Sequence, residues 1–453
     1  MKKENDLGRD KITGLVFKIA VPSMLAQFVS VLYSIVDRIF VGNIPVYGDI
    51  SLAGVGVCGP IVTMIGAFAF LVGTGGAPLL GIAMGEGSRE RARKILANCF
   101  LMLLILAAAV TAIALAIREP MLRLFGASDA TYPYAEAYFT IYVSGTVFAL
   151  LSSGLYQFVI AQGYAKAAMA SVILGAGMNI VLDPVFIFVF HMGVRGAALA
   201  TVLSQIASAL YVLIFLFKKA AVTITFGGYR LRIMAQVAKM GFTPFIIIAM
   251  DNVMIIAMNA MLQHCGGAQG DLLITVNTIV QSFMLVMTMP LGGISSGTGC
   301  ILSYNYGAAA ADRVIKAQKT ILALCVGYTA VLFVLARVAG GAFVSLFTSD
   351  PEISAQACRA IRIYTLMAIP LGAQYEIVDG FTAMGQVQLS LPLSFWRKGV
   401  YFAALFLLPI LLDASMIFYA EPISDLLAIS VSVPVYLLHI KKILRKRELQ
   451  VQS

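Results

Sequence analysis

What most limits the possible folds of this chain is a series of unbroken apolar stretches, each of helical length. Phe100 to Ile117 and Phe402 to Leu412 contain no charged residue. A helix needs about 20 mostly apolar residues to cross a bilayer. Strands of a membrane barrel alternate polar and apolar residues instead. The continuous runs therefore predict an all-α polytopic membrane protein. Composition agrees: of 453 residues, 60% are hydrophobic and 12% charged, and mean hydropathy is +0.91. A water-soluble fold lacks the interior to cover so much apolar surface.

Twelve transmembrane spans are predicted, near 14–41, 52–82, 95–117, 133–160, 168–190, 196–217, 241–263, 273–304, 320–341, 356–384, 388–411 and 422–440. The N-terminus, with Lys2, Lys3, Arg9 and Lys11 before its first apolar run, reads as a retained helix and not as a cleaved signal. An even number of spans places both termini on one side. With that side cytoplasmic, 23 of the 32 Lys and Arg residues fall inside. Only Arg118, Arg123, Arg195 and Arg337 fall outside, as the positive-inside bias requires. The net charge of +10 is thus explained by topology, and nucleic acid is not expected as a partner. The six cysteines form no CxxC pair and read as small apolar residues. The three histidines are widely spaced, which argues against a His-based metal site.

The two halves of the chain match at a fixed offset. Pro22 pairs with Pro244, Gly75 with Gly297, Arg91 with Arg313, Tyr142 with Tyr364 and Gly163 with Gly385. Each difference is 222, as in 244 − 22. An offset that crosses six spans keeps the same orientation, so the expectation is a parallel repeat of two six-helix lobes. The expected divisions are an N-terminal lobe at 1–217, a cytoplasmic linker at 218–240 and a C-terminal lobe with a basic tail at 241–453. Such repeats suit alternating access, in which two bundles rock about a site. No GxxxxGK[ST] phosphate loop is present, which favours a secondary transporter over an ATP-driven pump. Gly293 to Gly297 matches the GxSxG pattern of hydrolases, but it lies inside an apolar span. That motif needs a strand–turn–helix elbow, so close helix packing is the better reading, and no enzyme is expected.

Charged residues inside spans need a reason, since each costs about 2.5–3.5 kcal/mol on insertion scales. Asp37 falls near the outer end of the first span. Asp183 falls in the outer third of the fifth, with Asn179 one turn away on the same face. Thr201 falls at the same depth in the sixth. Two carboxylates, an amide and a hydroxyl offer oxygen ligands to Na⁺, and two close carboxylates can also share a proton. The bland alternative places Asp37 at the interface beside Arg38. In the second half, Asp251, Glu376, Asp379, Arg397 and Lys398 suggest a charge network. It reads equally as structural pairing or as a site for a cationic substrate.

At these residues the chain resembles the MATE family (multidrug and toxic compound extrusion). The resemblance is carried by Val36-Asp37-Arg38-Ile39-Phe40-Val41-Gly42, by Asn179-Ile180-Val181-Leu182-Asp183-Pro184 and by Gly196-Ala197-Ala198-Leu199-Ala200-Thr201. It covers essentially the whole chain. Ser394-Phe395-Trp396-Arg397-Lys398-Gly399 resembles the bacterial DinF-like and related branches. The resemblance implies export of cationic amphipathic drugs in exchange for Na⁺ or H⁺. It implies that Asp37, Asn179, Asp183 and Thr201 form the cation site, that Tyr375 and Asp379 act as a Tyr-xxx-Asp pair, and that helix 1 bends at Pro22. The expected setting is the bacterial plasma membrane, with the lipid bilayer and lipophilic cations as partners. No cofactor beyond the coupling ion and no obligatory protein partner are expected, since one chain holds both lobes. The competing readings are a flippase for lipid-linked precursors, which would need a basic cavity, a membrane enzyme, and a channel.

Overall fold

The computed structural model describes residues 5–45 and 47–452; Lys2 and Lys3 of the basic set lie outside them. The described residues contain helices and turns and no strand. In chain order the first half has α1 (Ile12–Gly42), α2 (Gly48–Gly85), α3 (Arg89–Ala116), α4 (Arg118–Leu124), α5 (Tyr132–Ser144), α6 (Thr146–Ala161), α7 (Ala165–Pro184) and α8 (Val194–Lys218). The second half has α9 (Leu231–Gly266), α10 (Gly270–Gly307), α11 (Ala311–Val338), α12 (Gly340–Val344), α13 (Pro351–Tyr364), α14 (Ala368–Ala383), α15 (Val387–Leu411) and α16 (Ala420–Gln452).

Ten of these helices are long and apolar enough to cross a membrane unaided, among the described residues. The pair α5 and α6 makes an eleventh, bent by 57°. The predicted span 133–160 is thus interrupted at Gly145. There a Cβ would stand 2.7 Å from Val202, so only glycine admits the close approach of α8. The pair α13 and α14 holds the corresponding place in the second half, α14 being α6 moved by 222. Glu352, Arg359 and Arg362 make α13 too polar to qualify by composition alone. The predicted span 356–384 is also broken, before Ala368. Pro370 lacks an amide hydrogen, so it sits in the first turn of α14 and not within a longer helix. Helix α9 starts at Leu231, ten residues before the predicted 241.

The internal repeat is repeated in the backbone. Helix α10 has the bounds of α2 moved by 222, as in 270 − 48 and 307 − 85. The same shift carries α3 onto α11 and α6 onto α14 at both ends. Packing repeats with it. Helix α2 packs on α3, α5 and α6, while α10 packs on α11, α13 and α14. Helices α7 and α8 form one adjacent pair, α15 and α16 the other.

The chain forms two compact units. One comprises Met1–Arg9 and Leu25–Ala249, the other Asp10–Met24 and Met250–Ser453. Both boundaries within membrane-spanning helices follow a proline: Pro22 in α1 and Pro244 in α9. Each unit turns large apolar side chains outward, such as Ile113 and Val181 in the first and Val331 and Leu437 in the second. In a bilayer those groups face lipid, which is as apolar as they are. Small residues let helices meet inside. In the first unit a Cβ on Gly241 would stand 1.7 Å from the Leu71 carbonyl oxygen, so α9 and α2 touch backbone to backbone.

Candidate functional site

Three helices of the first unit bring the predicted cation ligands together. Asn179 and Asp183 lie one turn apart on α7, both buried. The Asn179 amide donates to Asp183 Oδ1 at 3.3 Å and approaches Thr201 Oγ1 on α8 at 3.5 Å. Asp37 on α1 comes within side-chain hydrogen-bonding reach of Asp183. All four predicted residues are therefore neighbours, while Arg38 points to the exposed surface. Pro184 ends α7 directly after the acid and is followed by one wide turn, Val185–Val189. A proline there removes an amide that would otherwise extend the regular helix.

The cluster has more acceptors than donors. Asp37 Oδ1, Asn179 Oδ1 and Asp183 Oδ2 are buried without a hydrogen-bond partner. Buried polar atoms are normally satisfied, and each orphan costs about 1–3 kcal/mol. Three orphaned oxygens around two carboxylates suit a bound monovalent cation or proton. No group of three or more His, Cys, Asp or Glu residues forms among the described residues.

Sequence reading missed the aromatic wall of this cluster. Tyr33 stands one turn before Asp37 on α1, and its surroundings include both acids. Tyr138 on α5 reaches Thr201 and stacks on Tyr142, with centroids 6.1 Å apart. Gln205 on α8 approaches the Tyr142 hydroxyl at 3.5 Å. The spacing of Tyr33 and Asp37, four residues on one helix, was the available signal.

The second unit pairs its bases with acids. Arg397 on α15 donates to Asp425 Oδ1 at 2.7 Å and to Glu421 Oε1 at 2.5 Å, both on α16. Lys398 pairs with Asp251 on α9. Glu421 and Asp425 were not among the predicted residues. Two bases within one span require acidic partners, and Glu421 and Asp425, four residues apart at the head of the next span, present them on one face. Asp379 on α14 instead accepts from Ser295 at 2.5 Å. Ser295 lies inside α10, so the Gly293 to Gly297 stretch is packed helix with no elbow. Gly297 meets Ser23, where an added Cβ would stand 2.6 Å away. Glu376 is 1% exposed, and neither of its carboxyl oxygens has a partner. Tyr375 feels the charges of Arg397, Asp251, Glu421 and Asp379, which places it beside both groups.

Comparison with known proteins follows the same pattern. The chain is 25% identical over 373 residues to the multidrug export protein MepA of Staphylococcus haemolyticus, covering 81% of this chain and 80% of that one. It is 24% identical to MepA of Staphylococcus saprophyticus, over 95% of each chain. Among solved structures, it shares the fold of an outward-facing multidrug resistance MATE family transporter, with a TM-score of 0.88 and 22% identity over 96% of this chain and 98% of the other. A transporter of the MOP superfamily from Pyrococcus furiosus gives a TM-score of 0.90 at 21% identity over the same shares. The MatE family model matches residues 22–185 and again 244–400, two segments whose starts are 222 apart. With that model covering most of both halves, the chain belongs to the MatE family of membrane transporters.

Proposed function

We propose that this protein exports cationic amphipathic compounds in exchange for Na⁺ or H⁺ by alternating access. The observation that carries the reading is the meeting of the buried Asp183 and Asn179 with Asp37 and Thr201, a group whose oxygens outnumber its donors. From the outward-facing state, an ion enters this cluster and neutralises it. Helix α1 then repacks about Pro22, and drug binding weakens. Drug leaves outward, the lobes rock, and the ion leaves inward. Each charge moved through 100 mV supplies about 2.3 kcal/mol. The setting is the bacterial plasma membrane, with both termini cytoplasmic, and a monomer suffices.

The second unit supports a cationic substrate. Arg397 and Lys398 are both held in ion pairs, while Glu376 and Asp379 have no basic partner among the described residues. A flippase for phosphate-bearing lipids would need those bases free. The relatives named multidrug export proteins point the same way.

The test is ethidium efflux from vesicles that contain the purified protein, under an imposed Na⁺ gradient and then a pH gradient. Efflux under either gradient is expected and names the ion. No efflux under both would sink the drug-exchange reading and favour the flippase.

A further inference from the structure

Helix α16 carries a face that the exchange reading leaves unused. Its exposed residues Leu427, Val431, Pro434, Leu438, Lys441 and Arg445 recur every three or four positions, so they form one stripe. The stripe changes character along its length. From Leu427 to Leu438 it is apolar, as a surface toward lipid is. From Lys441 onward it is basic: Lys441, Lys442, Arg445 and Lys446 are all exposed. At 1.5 Å per residue, Lys446 lies about 12 Å beyond Leu438 along the helix.

The basic stretch is seated on the second unit. Ile440 and Leu444, one turn apart, are buried. Arg447 donates to the carbonyls of Tyr306 at 3.2 Å and Gly307 at 2.9 Å, and its guanidinium stands 5.5 Å from the Tyr306 ring centroid. Both carbonyls belong to the last turn of α10, where a cation offsets the negative end of the helix dipole. These contacts fix the rotation of the helix, so the other four cations point outward. Among the described residues, no ion pair joins any of the four to an acid. Lys442, Arg445 and Lys446 line one open depression together with Leu449 and Gln450.

The repeat shows that the scaffold does not require this extension. Helix α8 ends at Lys218, which corresponds to Ile440, since 218 + 222 is 440. Helix α16 continues to Gln452, 12 residues further, since 452 − 440 is 12. Nor does topology require the arrangement. The positive-inside bias counts charges and is indifferent to the helix face that bears them.

We propose that this face binds the headgroups of anionic phospholipids, in the leaflet that the C-terminal end of α16 reaches. The apolar part of the stripe seats acyl chains. The four cations on the same face meet phosphates where those chains end, with their own apolar stems lying along the helix. Four bases directly beyond a membrane span are the pattern that attracts a negatively charged leaflet. The inference is independent of drug exchange and needs only that α16 spans the bilayer.

The test uses purified full-length protein in phosphatidylcholine liposomes, with spin-labelled phosphatidylglycerol or spin-labelled phosphatidylcholine in both leaflets. The motionally restricted fraction of each label reports lipid held by the protein, whichever way it is inserted. The parent is expected to favour the phosphatidylglycerol label about threefold or more, and less as salt rises. Lys441→Gln, Lys442→Gln, Arg445→Gln and Lys446→Gln together are expected to remove most of that preference. An equal loss of charge elsewhere, by Arg93→Gln, Lys218→Gln, Lys219→Gln and Lys239→Gln, is expected to leave it near the parental value. Each variant keeps 19 of the 23 inside cations, since 23 − 4 is 19, so orientation is preserved. Lys441→Arg, Lys442→Arg and Lys446→Arg together are expected to retain the preference, because they retain the charge. No preference in the parent, a preference that survives the tail glutamines, loss in the arginine variant, or equal losses in the two glutamine variants would each overturn the site. Displacement of the phosphatidylglycerol label by inorganic phosphate, beyond that by chloride at matched ionic strength, would also overturn it and give the face to soluble anions.

Discussion

The two halves share a backbone register, but the polar residues of their clusters differ at most positions. Asp37 corresponds to Asn259, Asn179 to Tyr401, Asp183 to Leu405 and Thr201 to Ile423, each 222 residues on. In the other direction, Glu376 corresponds to Gly154, Asp379 to Gln157 and Arg397 to Gly175. The first unit keeps two carboxylates side by side, with Arg38 turned to the exposed surface and neither acid in an ion pair among the described residues. The second neutralises its bases with acids. The difference shows that apolar pattern and small-residue packing are enough to specify the scaffold. A few polar positions then set what each copy does. It also separates two kinds of buried charge: one whose carboxyl oxygens are left without partners, one closed by a protein partner.

Substitutions can break or sharpen that contrast. The largest loss of stability is expected from Arg397→Met, which leaves Glu421 and Asp425 buried without their cation. Removing one partner of a buried pair costs about 3–5 kcal/mol. The melting temperature in detergent should fall sharply and should largely recover when Glu421→Gln and Asp425→Asn are added. An unchanged melting temperature would mean that the triad is not a closed structural pair. Next comes Asp183→Asn, expected to lower gradient-driven ethidium efflux at least 100-fold, about 2.7 kcal/mol. Its melting should stay near the parental value, since the change also relieves a like-charge contact. A large melting loss with normal efflux would reverse the roles assigned to the two units.

Ser295→Ala removes the hydroxyl that Asp379 accepts. A hydrogen bond to a charged group contributes about 1.5–3 kcal/mol, so a moderate drop in melting temperature is expected. A neutral result would place Asp379 outside any structural role. The smallest effect is expected at Asp413, which lies in neither cluster. Its carboxylate caps the turn before α16, accepting from Ser415 N at 3.1 Å and Ser415 Oγ at 2.6 Å. These bonds hold its carboxyl below the ordinary value. The stabilisation is therefore complete above the ordinary carboxylate range and fades as pH falls through the depressed value. Asp413→Asn should cost no more than about 0.5–1 kcal/mol. A pH-melting profile of the two proteins should differ near neutral pH and converge at the acid end.

Much of this was legible before any coordinates. Apolar runs gave the spans, and the fixed offset gave the repeat, because both are properties of one helix face or of simple counting. Asp37, Asn179, Asp183 and Thr201 could be grouped because helix direction converts sequence position into depth. The breaks at Gly145 and before Ala368 were missed, since mean apolarity does not register a bend. Tyr138 and Gln205 were missed because their part depends on which faces of α5 and α8 turn inward. Glu421 and Asp425 were missed because they sit at the start of a span, where acids are ordinarily solvated. Only packing of α15 on α16 makes them partners of Arg397.

That packing has a consequence for how the chain is made. Helix α15 carries Arg397 and Lys398 and is the least apolar of the ten long spans. The acids that offset Arg397 come 24 and 28 residues later. Synthesis runs from the N-terminus, so α15 reaches the membrane before α16 exists. Lys398 can meet Asp251 on the earlier α9, but Arg397 would enter hydrocarbon uncompensated, at about 2.5–3.5 kcal/mol on insertion scales. Biogenesis therefore favours entry of α15 and α16 as a hairpin, with the ion pairs formed on the way in. A chain cut before Glu421 would leave α15 at the membrane surface, with its basic face in the headgroups.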